Sequence, residues 1–335
     1  MNNIDTGAAS TDASNPLFSV IIPTRNRVEM FQQALDSVLA QSFERFEVIV
    51  VNDGSIDDTL ARYKALANSY PQVDFHYLVH RPNGHGQSYS MNFGASQARG
   101  EYLCFLDDDD YWTDNKHLSK AARALKRHKA DAYYSNQEGW FVDGSKHEQP
   151  LWIADLTAKL DPQAADEDGV FPLNADALLQ AQGFAHLNCT IVRRSLYLDI
   201  GGMDENIRYE CDHDIYLRVI DAARGILYNP AVISYHRIPD NKKATNMSTA
   251  LSTLQKRLYQ LTVFEKGILF SRQTVVRQYC LQGKGHQLKF IASTLENDGN
   301  RALAAYYAQQ ALAAQPTFKW RIKALLLRLQ KLLGH

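Results

Sequence analysis

The chain has 335 residues, 45% hydrophobic and 22% charged, which is enough for one large α/β domain with an appendage and excludes a fibrous or wholly disordered chain. Its 36 Lys and Arg nearly balance its 37 Asp and Glu, so the net charge of -1 leaves no overall basic surface for nucleic acid. The four cysteines form no CxxC pair, which argues against a zinc knuckle or a disulfide framework and favours a reduced, cytoplasmic setting.

The N-terminal segment is polar. Residues 1–15 offer almost nothing to bury, so we expect a mobile tail there. The segment also lacks Lys, Arg and an apolar core, so no secretory signal peptide is predicted. The sequence contains no run of about 18 apolar residues, the length that a membrane span needs.

From about residue 16, apolar segments of strand length alternate with segments of helical period. The predicted elements are strands at 18–22, 46–51, 75–79 and 102–106, with helices at 27–41, at 57–70 and up to about 100. This alternation predicts an α/β fold with a mostly parallel central sheet covered on both faces. Ligands of such sheets bind beyond the carboxyl ends of the strands.

Further along the chain the order is less regular. The letters YYS, GWFV and CTIVRR predict short strands interrupted by a polar stretch at 155–182, which indicates a mixed or antiparallel part of the sheet that carries an insertion. Beyond about residue 249, helical periodicity continues to the C-terminus. We therefore place a domain boundary at 246, between an α/β domain at 16–246 and a helical C-terminal extension at 247–335.

Polar clusters follow three of the predicted strands: PTRN after the first, NDGS after the second and DDDD after the strand at 102–106. Carboxyl ends of parallel strands share one edge of a sheet, so these clusters are expected to converge there. Asp53, in the second cluster, has an alternative interpretation as a turn residue that caps the next helix.

The acidic run, Asp107 to Asp110, is the strongest chemical signal. Four adjacent carboxylates repel one another unless a cation or hydrogen-bond donors neutralise them. Oxygen ligands in this position suit Mg²⁺ or Mn²⁺ bound together with a substrate phosphate. Alternatively, the run is a solvated surface, with Asp110 or Asp114 capping a helix that begins near Asn115.

Taken in order, these motifs resemble the family 2 glycosyltransferases, which have the Rossmann-like GT-A fold. The matching segments are FSVIIPTRNR, FEVIVVNDGSIDDT, NFG with ARGEY, FLDDDDYW and a later acidic cluster, and together they span about 18–248. The resemblance implies an inverting, metal-dependent enzyme that moves a sugar from a nucleoside-diphosphate sugar, with a UDP-sugar favoured, to an acceptor hydroxyl. It also implies a role in bacterial cell-surface polysaccharide or glycan assembly.

The resemblance further implies roles for individual residues. Asp109 would bind Mn²⁺ or Mg²⁺, and His236, which follows the strand-like AVISY, would complete the metal shell. The residues that it places at the nucleotide sugar are Pro23, Thr24, Arg25, Asp53, Arg81, Asp107 and Asp108.

The acidic cluster ECDHDIYLR resembles the family segment that carries the catalytic base and puts Asp212 in that role. A carboxylate here would accept the proton of the acceptor hydroxyl. Two residues depart from the family pattern: Cys211 replaces the usual Glu, which leaves Glu210 as an alternative base, and Met91 replaces an Arg. Asp212 could instead be the N-cap of a helix at 214–223.

The sequence is also compatible with two other functions. A sugar nucleotidyltransferase also joins a nucleotide-binding sheet to acidic metal ligands, but the loop after the first strand lacks the glycines that would bind a triphosphate. A catalytically silent sugar-nucleotide-binding protein is suggested by Cys211 and Met91.

The C-terminal segment 317–333 has apolar residues along one arc of a helix and basic residues beside it, with no Asp or Glu after Arg301. This pattern is typical of a helix lying in a membrane interface, and it predicts peripheral contact with the inner face of a membrane that carries a lipid-linked acceptor. Alternatively, the arc packs onto the preceding helices.

Overall fold

The structure is a computed structural model that describes residues 15–240 and 247–332. The tail predicted at 1–15 lies outside the described residues except for its last member, and so does residue 246, where the sequence places the domain boundary. Within the described residues, the strands end at Arg237 and helices occupy most of the chain from Met247 onward.

Nine strands of the described residues form one sheet. In chain order they are β1 (Phe18–Thr24), β2 (Phe46–Asn52), β3 (Val73–Tyr77), β4 (Tyr102–Phe105), β5 (Tyr111–Trp112), β6 (Ala132–Trp140), β7 (Phe171–Leu173), β8 (Thr190–Arg193) and β9 (Ile226–Arg237). Across the sheet the order is β3-β2-β1-β4-β8-β6-β9-β5, and β7 pairs with β9.

Strands β1 to β4 form the parallel half of the sheet, as predicted. β1 pairs in parallel with β2 and β4, and β2 pairs in parallel with β3. Thr24 at the end of β1 lies beside Asn52 at the end of β2, so the polar residues after these strands begin at one level of the sheet. All seven residues of β1 are buried, which is typical of a central strand covered on both faces.

The second half of the sheet is mixed. β8 is antiparallel to β4 and to β6, whereas β6 and β9 are parallel. The letters YYS and GWFV, predicted as separate strands, belong largely to the single nine-residue strand β6, with an irregular register at Asn136. The polar residues in the middle of β6 are typical of a loop. Asn136 among them is nevertheless buried and donates a hydrogen bond to the hydroxyl of Tyr228 at 2.7 Å.

Helices cover the sheet and form the C-terminal region. In chain order they are α1 (Val28–Leu39), α2 (Asp57–Ser69), α3 (Gln87–Gln97), α4 (His117–His128), α5 (Ala175–Leu178), α6 (Arg194–Asp199), α7 (Cys211–Ala222), α8 (Met247–Ala250), α9 (Thr253–Phe270), α10 (Thr274–Asn297), α11 (Arg301–Ala314) and α12 (Phe318–Leu332).

The alternation along β1 divides its side chains between the two faces of the sheet. Val20 and Ile22 join Phe31 of α1 in one core cluster, whereas Ile21 joins Met91 of α3 in another. Met91, where the resemblance implies Arg, is fully buried there. The side chain at this position therefore packs in the core.

The first C-terminal helices pack into the core of the catalytic domain. Phe264 of α9 and Cys280 of α10 belong to the same buried cluster as Leu217 of α7. Lys266 of α9 also binds two carboxylates of that domain, with Nζ 2.7 Å from Asp204 and 2.9 Å from Asp214. Helices α9 and α10 are thus attached to α7 by apolar contacts and ion pairs.

Helix α12 packs on the other C-terminal helices through Trp320, Ala324 and Leu327. The alternative in which its predicted apolar arc packs onto the preceding helices is wrong for the described members of the arc. The exposed members are Phe318, Ile322, Leu325, Leu326 and Leu329. In 15–240 and 247–332, no helix is both long enough and apolar enough to cross a membrane.

Candidate active site

A cleft of about 1060 Å³ lies at the carboxyl ends of the parallel strands. It is bounded on one side by the loops after β1, β2 and β4, and on the other by the start of α7 and the end of β9. The residues predicted from the sequence that line this cleft are Pro23, Thr24, Arg25, Asp53, Asp107, Asp108, Asp109, Asp212 and His236.

The end of β1 is joined to the acidic run by hydrogen bonds. Thr24 Oγ1 donates to Asp108 Oδ2 at 2.7 Å and lies 2.5 Å from the hydroxyl of Tyr63. Arg27 Nη1 lies 2.7 Å from Asp109 Oδ2 and 3.3 Å from Asp108 Oδ1. The Arg27 guanidinium therefore offsets part of the negative charge of the run.

Asp53 holds the loop between β3 and α3. Its carboxylate accepts hydrogen bonds from the backbone amides of His85 and Gly86 at 2.8 to 3.0 Å, and it lies 2.7 Å from His85 Nδ1. The N-cap of α2 is Ile56, so the alternative in which Asp53 caps that helix is wrong. Asp53 instead shapes the wall of the cleft.

Arg25 spans the same loop. Its Nη2 donates to the carbonyl oxygens of Arg81 at 2.8 Å and of Pro82 at 2.9 Å. A Cβ on Gly84 would lie 2.4 Å from Arg25 Nη1 and 2.5 Å from Asp53 Oδ2, so the close approach of this loop requires glycine. The side chain of Arg81 is exposed and does not line the cleft, unlike the other predicted nucleotide-binding residues.

Asn188 links the two ends of the acidic run. Its Oδ1 accepts a hydrogen bond from the backbone amide of Asp107 at 2.9 Å, and its Nδ2 donates to Asp110 Oδ2 at 2.6 Å. Gln87 of α3 donates to Asp107 Oδ1 at 2.6 Å. The backbone and side chains of the run are therefore held from two separate parts of the chain.

The buried Asp110 pairs with the partly buried His236. His236 Nδ1 lies 2.7 Å from Asp110 Oδ2, and the backbone amide of Arg237 donates to Asp110 Oδ1 at 2.7 Å. The His236 ring packs edge-on against Trp152, with ring centroids 4.9 Å apart, and lies 5.2 Å from the ring of His186. These contacts orient the imidazole of His236 toward the acidic run.

The interpretation of the run as a solvated helix cap is wrong for Asp110, because Asp110 is fully buried and α4 begins only at His117. Asp114 does contact the start of that helix: its Oδ1 accepts a hydrogen bond from the backbone amide of Lys116 at 2.9 Å.

Two overlapping groups of side chains provide ligand atoms for a metal ion. The ligand atoms of Asp107, Asp109 and Asp110 lie within 4.8 Å of one another, and so do those of Asp110, His186 and His236. Asp109 and His236, the predicted ligands, thus belong to different groups that share Asp110. Carboxylate oxygens suit both Mg²⁺ and Mn²⁺, and the imidazoles add nitrogen ligands, which transition metals accept more readily than Mg²⁺ does.

The protonation of these groups reflects burial and mutual repulsion. Burial and neighbouring carboxylates raise the pKa of Asp108 to about 7 and that of Asp107 well above its usual range. Burial also acts to raise the pKa of Asp110, but His236 outweighs it and lowers the pKa. Burial and the nearby His236 lower the pKa of His186 to about 3, which keeps that ring neutral. The donor set fits a divalent cation, whose charge would let the carboxylates ionise together.

Asp212 faces the cleft from the first turn of α7. This helix begins at Cys211, earlier than the predicted 214, and its N-cap is Glu210, so the interpretation of Asp212 as an N-cap is wrong. Burial and the charge of Glu210 raise the pKa of Asp212 to about 6. A carboxyl group with this pKa is mostly ionised at pH 7 and is suited to accept a proton.

Glu210, the alternative base, is occupied by other contacts. Its Oε2 lies 3.1 Å from His213 Nδ1, and its Oε1 accepts a hydrogen bond from Gln260 Nε2 of α9. The residue has φ +58°, an uncommon backbone conformation for a side chain other than glycine. Both residues line the cleft, but the Glu210 carboxylate is held by these contacts and ties the start of α7 to α9.

Sequence reasoning missed several residues of the site. Arg27, Trp152, His186, Asn188 and Arg237 all contact the acidic run or the His236 ring. Arg27 lies in the PTRNR motif that carried the resemblance, so the motif itself was a usable signal. Asn188 lies 78 residues from Asp110 in sequence, and no local pattern predicts that contact.

Asn188→Ala is expected to lower the free energy of unfolding by about 1–3 kcal/mol, because it leaves the backbone amide of Asp107 without its hydrogen-bond partner and removes one of the hydrogen bonds to the buried Asp110 carboxylate. Urea unfolding of both proteins measures the difference. The matched change Asn83→Ala, at an exposed loop position, should stay within about 0.5 kcal/mol of wild type. Equal stability of the two variants would show that Asn188 does not hold the run.

Residues 19–201 match the model of glycosyl transferase family 2, and the chain belongs to this family. It is similar to the succinoglycan biosynthesis protein ExoW of Rhizobium meliloti (strain 1021), with 27% identity over 282 residues that cover 78% of this chain and 85% of ExoW.

Solved structures share the fold. TarS 1-349 of S. aureus in complex with UDP-GlcNAc gives a TM-score of 0.61 at 20% identity, covering 89% of this chain and 81% of that one. The mannosyltransferase PcManGT from Pyrobaculum calidifontis, in complex with GDP-Man and Mn²⁺, gives 0.57 at 17% identity, covering 96% and 82%. The predicted GT-A fold with C-terminal helices is confirmed, and the protein is a glycosyltransferase.

Proposed function

We propose that this glycosyltransferase transfers a sugar, with inversion, from a nucleoside-diphosphate sugar to an acceptor hydroxyl. The observation that carries the proposal is the position of Asp212, which faces the same cleft as the acidic run and the end of β1. A base and a nucleotide-binding wall on opposite sides of one cleft suit a single displacement. UDP-sugars are the favoured donors, as for the TarS complex with UDP-GlcNAc, and the similarity to ExoW supports a role in cell-surface polysaccharide assembly.

The donor would occupy the wall made by the parallel strands. We assign the nucleotide to Pro23, Thr24 and Asp53, and the ribose to Asp107 or Asp108. Arg25 would contribute to nucleotide binding indirectly, by holding the loop between β3 and α3 in place.

A divalent cation, Mn²⁺ or Mg²⁺, would be held by Asp109 and His236, with Asp110 between them. When bound, the ion would offset the negative charge that builds on the leaving nucleoside diphosphate. The Mn²⁺ in the PcManGT complex supports this assignment.

Asp212 would take the proton of the acceptor hydroxyl as the oxygen attacks the anomeric carbon. The bond from that carbon to the diphosphate breaks in the same step, so the configuration of the sugar inverts. The side of the cleft opposite the donor wall, near Trp152 and Tyr209, offers aromatic surface on which an acceptor sugar ring can pack.

Release of nucleoside diphosphate tests the proposal. The chain is incubated with a panel of UDP- and GDP-sugars and Mn²⁺, with and without sugar acceptors. We expect one donor to release nucleoside diphosphate slowly when no acceptor is present, and faster when a suitable acceptor is added. A nucleotidyltransferase would instead form pyrophosphate from a nucleoside triphosphate and a sugar phosphate, and a silent binding protein would be stabilised by the donor without releasing product.

The turnover rate is expected to fall as the pH drops through about 6, because the pKa of Asp212 is raised to about 6 and only its ionised form accepts a proton. Glu210→Gln removes a neighbouring negative charge, so this acid limb should move to lower pH. Profiles of kcat against pH measure the shift, with exposed Glu44→Gln as the control. An acid limb that stays in place in Glu210→Gln would contradict the assignment.

A further inference from the structure

Helix α12 has two opposite faces. At about 100° per residue, the side chains that pack on the other helices, Trp320, Ala324 and Leu327, centre about 180° away from the exposed apolar arc. This arc, defined by Phe318, Ile322, Leu325, Leu326 and Leu329, therefore points away from the protein. Phe318 is 79% exposed and Leu325 is 57% exposed.

Basic side chains flank the arc on both sides. Arg321 and Arg328 are exposed beside one edge, and exposed Lys319 lies beside the other. Helix α12 contains no Asp or Glu, and neither does the rest of the chain after Arg301. An apolar strip bordered by exposed basic side chains matches an anionic lipid surface, in which the strip enters the acyl boundary and the basic side chains meet the headgroups.

We propose that the apolar arc of α12 docks this protein on an anionic membrane surface. Contact between two copies of the chain through this arc would bring the exposed Lys319, Arg321 and Arg328 of both α12 helices together, and α12 itself supplies no carboxylate to offset their repulsion. This docking also identifies the acceptor class, an inference that rests on the proposed function: an enzyme held at a membrane surface would transfer its sugar to a lipid-linked acceptor.

Vesicle sedimentation tests the docking with the full-length chain. Phosphatidylcholine vesicles with and without phosphatidylglycerol serve as the anionic and neutral surfaces, at low and high salt. We expect the wild type to sediment with anionic vesicles at low salt and to be released by high salt. Failure of the wild type to bind anionic vesicles at low salt would overturn the proposal.

Two variants address the two parts of the surface. Leu325→Ser should lower the partition coefficient about fivefold, because one inserted leucine is lost. Arg321→Gln with Arg328→Gln should lower it about 25-fold on anionic vesicles only, since each basic residue contributes roughly fivefold. All three positions are exposed, so the melting temperature should not change.

Leu269→Ser is the matched control, since Leu269 of α9 is 87% exposed and lies outside α12. This variant should bind vesicles as the wild type does. Equal binding by Leu325→Ser and Leu269→Ser would overturn the proposal, and so would a stable dimer in sedimentation velocity that Leu325→Ser dissociates. Release of nucleoside diphosphate without vesicles tests the proposed function separately, because α12 contributes nothing to the cleft lining.

Discussion

Asp212→Asn is expected to lower kcat about 10²- to 10⁴-fold while the affinity for the nucleotide sugar stays close to wild type. Asn has nearly the same shape but cannot accept the proton of the acceptor hydroxyl. The side chain lies on the wall of the cleft opposite the end of β1, so donor contacts should be retained. Steady-state kinetics with saturating acceptor and calorimetric titration of the donor measure the two quantities.

Glu210→Gln is the natural comparison, because it removes the neighbouring carboxylate and keeps a side chain that can bond to Gln260. This variant should retain most of its activity at pH 7. An inactive Glu210→Gln beside an active Asp212→Asn would place the base two residues earlier in the chain. Loss of donor binding in Asp212→Asn would show that Asp212 positions the nucleotide sugar instead.

Asp109→Asn is expected to nearly abolish turnover and to weaken Mn²⁺ binding, with the fold intact. The side chain contributes to a group of three carboxylates whose ligand atoms lie within 4.8 Å of one another. Burial and Asp110 raise its pKa, so removing this charge relieves repulsion and should not lower the melting temperature. Mn²⁺ titration followed by electron paramagnetic resonance, beside the turnover assay, separates the two effects.

Asp114→Asn provides the matched control, since Asp114 contacts Lys116 and Lys120 at the start of α4 and does not line the cleft. Its Mn²⁺ affinity and turnover should equal those of the wild type. Full activity of the wild type after chelation, or unchanged Mn²⁺ affinity in Asp109→Asn, would contradict the metal assignment.

Local patterns were enough to predict the parallel half of the sheet. The apolar residues of β1, β2 and β4 are consecutive because both faces of these strands are buried, and the polar residues after each strand mark its end. Parallel pairing then brings those polar residues to one edge. This is why the sequence alone predicts that Thr24, Asp53 and Asp107 share one cleft.

The parts that escaped prediction depend on contacts distant in sequence. The middle of β6 is polar, and it becomes a strand because Asn136 finds a partner in Tyr228, 92 residues away. The early start of α7 depends on Glu210, whose uncommon backbone conformation is accompanied by bonds to His213 and to Gln260 of α9. Local propensity carries no information about such partners.

The attachment of α9 and α10 to α7 also bears on how the chain folds during synthesis. Leu217 shares its buried cluster with Phe264 and Cys280, and Asp214 is bound by Lys266. A nascent chain that has emerged only as far as the end of β9 thus exposes apolar surface on α7, and Asp214 lacks its ion pair with Lys266. We infer that the side of the cleft that carries Asp212 folds completely only after α10 has left the ribosome. Sugar transfer would therefore begin only when the chain is nearly complete.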